Sequence, residues 1–156
     1  MEHAFTQQAA IDAITSFDRV HFATHGILNA AAPMFSGVLM GTPGGNTRLS
    51  LYQIAALPVR ARLVVLSACE TGLGRLQRGD EITGLTRTFL QAGASSVVSS
   101  LWSVADDSTA FLMARFYREL GRGEPPASAL RAAALAARAE YGHPFFWAPF
   151  TLTGVQ

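Results

Sequence analysis

Residues 63–67 read LVVLS, an apolar and β-branched run with no polar residue until its last position. A strand with one wet face alternates, whereas a strand without alternation is buried on both faces. Such a strand needs a covering layer on each side, which restricts the fold to a sheet packed between helices. The rest of the chain can supply those layers. Residues 19–24 (RVHFAT) and 95–101 (SSVVSSL) are further short strands, and residues 146–153 (FWAPFTLT) a last one, placed near an edge by Pro149. Residues 7–16 form a weak helix. Ser50 opens a short helix to Leu57, with Gln53 completing a capping box and Pro58 ending it. Asp80 caps a helix through Gln91, with Gly93 just past its end. Asp106, Asp107 and Ser108 are N-cap candidates for a helix through Leu120, closed by Gly121. Its Phe111, Leu112, Phe116 and Leu120 should face the sheet. Pro125 and Pro126 sit at the start of a further helix over residues 127–141. Residues 36–40 and 47–49 flank a turn cluster at 41–46 and form a small hairpin. The expected fold class is α/β, a mostly parallel sheet with helices on both faces.

In such sheets, sites form beyond the carboxyl ends of the strands. Three strands here end on chemically useful residues: Thr24-His25-Gly26, Ala68-Cys69-Glu70-Thr71-Gly72, and the stretch from Trp102 to Asp106. An imidazole, a thiol and a carboxylate would share one rim. A thiol beside an imidazole becomes a thiolate nucleophile, and the imidazole can protonate a leaving amine. Backbone N–H groups at a strand-end turn can hold the developing oxyanion, and Gly26 and Gly72 allow close approach. Taken singly, Cys69 reads as a small buried hydrophobe, His25 as a structural histidine, and Asp106 and Asp107 as helix caps. The joint placement of His25 and Cys69 on successive strand ends brings the catalytic reading level with the structural one. His21 lies one pleat back from His25 on the same face, so a core or supporting role is expected. His143, before Pro144, and His3 read as structural.

Composition narrows the classes further. Charged residues make up 15% and the formal net charge is +1, so no basic stripe for nucleic acid is expected. All 12 basic residues are Arg, a bias that fits a GC-rich, bacterial coding sequence. No apolar run approaches the roughly 18 residues of a membrane span, and the first residues lack the pattern of a secretory signal. The single cysteine excludes an internal disulfide and suits a reducing, cytoplasmic setting. One Cys and four scattered His show no metal-ligand spacing, and no cofactor is expected. Gly72-Leu73-Gly74 lacks the third glycine of a dinucleotide loop, no G-K-[ST] is present, and no G-x-S-x-G elbow marks a serine hydrolase.

The segments HFATHG, LVVLSACETGLG, GLTRTFLQAGASSVVSSLWSV, DDSTAFLMARFY and HPFFWAPFTLTG resemble the CHAT domain, a caspase-like module often attached to tetratricopeptide repeats in bacteria. The likeness runs from about Asp18 to Gly154. It implies a cysteine endopeptidase related to caspases, gingipains and separase, acting on a protein or peptide substrate. His25 matches the catalytic histidine, and Cys69 the nucleophile. The backbone N–H groups of Gly26 and Cys69 match the oxyanion hole. The SLWSVADD stretch resembles separase around its specificity pocket, with Asp106 at the position that receives a basic side chain. Where family members usually carry GEG, this chain has Gly79-Asp80-Glu81. The resemblance also implies two strands before the histidine strand, where this chain has only a helix. The 156 residues thus read as a single partial domain whose N-terminal strands are missing, with a repeat-containing region or a partner chain upstream. The rival of a different class is a catalytically silent scaffold of the same fold that serves protein–protein interaction.

Overall fold

A computed structural model describes residues 5–27, 29, 31–42, 45–67 and 78–155. Helix α1 (Gln7–Ser16) starts at Thr6, whose hydroxyl accepts the Ala9 N–H at 3.2 Å. Strand β1 (Arg19–Phe22) follows, then the two-residue β2 (Gly26–Ile27) and a 3-10 turn at Pro33–Phe35. Strands β3 (Gly37–Thr42) and β4 (Gly45–Ser50) form the expected hairpin. Helix α2 (Leu51–Ala55) carries the full Ser50–Gln53 capping box. Strand β5 (Leu63–Leu66) is buried at every residue. Helix α3 (Arg78–Ala92), strand β6 (Ser96–Ser100), helices α4 (Asp106–Gly121), α5 (Pro126–Tyr141) and α6 (Pro144–Trp147), and strand β7 (Phe150–Gly154) complete the order.

The main sheet runs β1-β5-β6-β7, parallel except for β7. Its residues alternate between two cores. Phe22, Val64, Leu66 and Val97 pack with α1, α2, α3 and the hairpin, through Ile14, Ile54, Phe89, Val38, Met40 and Leu49. Leu63, Val65 and Val98 pack with α4 and α5 through Leu112, Phe116, Leu120, Ala129 and Ala133. Helices therefore cover both faces, as the unbroken apolar strand requires, and the architecture is that of a caspase-like α/β fold. A second sheet, β2-β3-β4, is antiparallel and hangs from the end of β1.

Several local expectations are corrected. Residues 146–153 are not one strand: α6 occupies Pro144–Trp147, with His143 as its cap accepting the Phe145 N–H at 3.2 Å, and the strand begins only after Pro149. The proline cannot donate to a ladder, so it delays the strand. Asp80 lies inside α3 instead of capping it. Gly121 is the last helical residue of α4, and the chain leaves through Gly123, whose φ is +91°. There the Glu124 N–H bonds to Glu119 O and the Gly123 N–H to Leu120 O, the paired bonds of a left-handed helix stop. Gly93 ends α3 in the same way, with φ +126°.

Candidate active site

Because β1, β5 and β6 are parallel neighbours, their carboxyl ends share one rim. A pocket of about 310 Å³ opens there on the face covered by α4. It is lined by His21, Ala23, Thr24 and His25 from the end of β1, by Ser67 just past β5, by Val104 beyond β6, and by Asp106, Thr109, Ala110 and Met113. The last four are spaced i, i+3, i+4, i+7, so they form one stripe of α4. His25 and Asp106, 81 positions apart by their numbers, thus border the same cavity. Cys69 lies outside the described residues, as does Gly72. Ser67, two residues before Cys69 in the chain, is the last described position on that strand end.

The backbone around His25 is held by Leu39 of β3. The His25 carbonyl accepts the Leu39 N–H at 2.8 Å, and the Thr24 hydroxyl donates to Leu39 O at 2.9 Å, so the hairpin holds the residues that carry the imidazole. Gly26 is buried in β2 and pairs with Val38; a Cβ there would meet nothing within 4 Å, so glycine leaves open space beside the histidine.

Asp106 does not cap α4 through its side chain. The N-cap is Ala105, which makes no side-chain cap bond, and Asp106 and Asp107 occupy the first turn, where a carboxylate still favours the positive end of the helix. The N-cap thus lies one residue before the first expected cap, and Ser108, inside the helix, donates to Ala105 O at 3.2 Å. Asp106 itself is exposed and lines the pocket. One turn further on, Thr109 Oγ1 is buried without a hydrogen-bond partner. Trp102 tethers the segment between β6 and α4 by donating to Phe145 O at 3.1 Å, and the Leu101 N–H bonds to Pro149 O at 2.7 Å.

The floor of the pocket holds a contact that sequence reasoning missed. His21 Nε2 and Ser67 Oγ are hydrogen-bonded at 2.7 Å, and the His21 ring lies against Tyr117 with centroids 5.6 Å apart. Burial holds His21 below its ordinary value of 6.5 and pushes the Tyr117 phenol up to about 12, so both are neutral near neutral pH. Register explains the contact: His21 stands opposite Val65, and Ser67, just past β5, is two residues further on and on the same face.

Among the described residues, no group of three or more His, Cys, Asp or Glu is placed to hold a metal ion, and no helix is long and apolar enough to cross a membrane. A family model described as CHAT domain matches residues 1–155. The chain belongs to the CHAT domain family. This CHAT domain is also similar to tetratricopeptide repeat protein 28 of Mus musculus, with 26% identity over 96% of this chain and 8% of the relative. The likeness to tetratricopeptide repeat protein 28 of Homo sapiens is 25% over 96% of this chain and 7% of the relative. The CHAT domain therefore spans less than a tenth of the length of these curated relatives.

Proposed function

We propose that this CHAT domain is a cysteine endopeptidase that cuts protein or peptide substrates after a basic residue. The observation that carries the reading is the sharing of one rim pocket by His25, Asp106 and Ser67, the last standing two residues before Cys69 in the sequence. In this mechanism Cys69 Sγ attacks the peptide carbonyl, with the Gly26 and Cys69 N–H groups receiving the oxyanion. His25 gives a proton to the departing amine, then takes one from the water that hydrolyses the thioester. Val104, Ala110 and Met113 offer an apolar wall for the stem of the substrate side chain, and the Asp106 carboxylate two acceptors for a guanidinium fork. The domain is proposed to occupy residues 1–156, to act in the cytoplasm, and to answer to a repeat-containing region or partner chain upstream, since its curated relatives are named tetratricopeptide repeat proteins.

Arg-, Lys-, Asp- and Leu-ended fluorogenic peptides test this. Cys69→Ala and His25→Ala should each abolish cleavage while the far-ultraviolet circular dichroism stays unchanged. Asp106→Asn should lower kcat/KM on Arg peptides by roughly thirtyfold or more. Since Asp106 makes no side-chain cap bond, loss of a cap does not account for such a drop. Equal turnover of wild type and Asp106→Asn, or a preference for acidic peptides, refutes the specificity. Absence of cleavage of any peptide by the full-length protein favours the scaffold instead.

A further inference from the structure

His21 is set into the α4 face of the sheet, between two partners. On one side lies the Tyr117 ring, itself tilted against Phe116 with centroids 5.4 Å apart. On the other, Nε2 meets Ser67 Oγ at 2.7 Å. The two strands are already paired there: the Ser67 N–H donates to Phe22 O at 3.2 Å, and His21 stands opposite Val65. Ser67 is therefore fixed twice, by its backbone through Phe22 and by its hydroxyl through His21. Both bonds act at the point where β5 ends and the chain departs toward Cys69, and both His21 and Ser67 line the pocket that His25 and Asp106 share.

We infer that His21 is a positioning residue: through Ser67 it pins the end of β5, two residues before Cys69 in the sequence. It need not touch substrate. Its burial keeps the imidazole neutral, so either nitrogen can serve as donor or acceptor, and a serine hydroxyl can meet it in both roles. The value of this pin to catalysis rests on the peptidase reading, but the pin itself does not.

The test uses the sole cysteine of the chain as reporter. The rate of Cys69 alkylation by iodoacetamide is measured for wild type, His21→Phe, Ser67→Ala and the double variant. Phe keeps the ring against Tyr117 and removes only the hydrogen bond. Each single change should alter the rate by about three- to tenfold, the weight of one such bond, and the double variant should be no worse than either single. His21→Gln, which can still bond to the hydroxyl, should return the rate toward wild type; a purely packing role would not be rescued by it. Additive losses, or unchanged rates in both single variants, overturn the inference. Should His21→Phe fail to fold, Ser67→Ala decides alone by nuclear magnetic resonance: the His21 ring nitrogens must shift when the hydroxyl is removed, and unmoved resonances overturn it. A wild-type alkylation rate equal to that of a free thiol counts against the peptidase reading and leaves the comparison among variants intact.

Discussion

Protonating His21 inside the fold means placing a cation between the Tyr117 ring and the Ser67 hydroxyl, partly withdrawn from water. Its folded pKa lies below 6.5, so between that value and 6.5 the unfolded chain binds more protons than the folded one. Stability should therefore be level above about pH 6.5 and fall as the pH drops below it, by at most about 1.4 kcal/mol per pH unit for this one group. Tyr117, raised to about 12 by burial, stays neutral across that range and adds nothing. Urea titrations between about pH 5 and 7.5 check this: the slope should be present in wild type and absent in His21→Gln, and an identical slope in both assigns it elsewhere. At this scale the sequence was partly legible. His25 and Asp106 could be set on one rim because strand ends in a parallel sheet converge by topology alone. The Ser67–His21 bond could not, because it joins side chains 46 positions apart and depends on register, which no local pattern encodes.

Helix stops carry a sharper lesson about elements. Two glycines stand two residues apart at the end of α4, and the first is the obvious terminator by eye. The backbone uses the second: Gly121 is helical with open space around it, whereas Gly123 takes φ +91°. Gly121→Ala should accordingly be neutral or stabilising by up to about 1 kcal/mol, because alanine loses less freedom in a helix. Gly123→Ala should cost about 1–2 kcal/mol, because a Cβ is disfavoured at that φ. Thermal unfolding of the two variants separates them, and a larger loss in Gly121→Ala reverses the assignment. The capping box at Ser50 was readable because both its partners lie within one turn. The last strand was misplaced because its aromatic residues suit a strand by propensity, while Pro144 and the His143 cap impose a helical turn on the first of them.

For the whole molecule, the decisive fact is that the two cores share their strands. Val64 and Val97 point into one core, and Val65 and Val98, their immediate neighbours, into the other. Neither core can loosen without disturbing the backbone that the other needs. Phe89→Ala in the first and Phe116→Ala in the second, both fully buried, should each cost about 3–5 kcal/mol. Both should preserve a single unfolding transition. Circular dichroism reports on all elements, while in a Trp102→Phe background the fluorescence of Trp147, packed on the second core, reports on one side. Coincident curves support a shared framework, and a Phe89→Ala variant that melts in two steps would show independent halves. This two-sided burial is what the LVVLS run announced, so the sandwich was the most legible part of the fold.

The hairpin that braces His25 is also a lever. Thr42 and Gly45 pair at its far end, where β3 connects to β4, while two bonds at its inner strand fix Thr24 and the His25 carbonyl. A ligand-gated receptor module spliced in between residues 42 and 45 would transmit its shape change along β3 to the imidazole, so this fold comes with a natural port for building switchable variants whose output is controlled by an added small molecule.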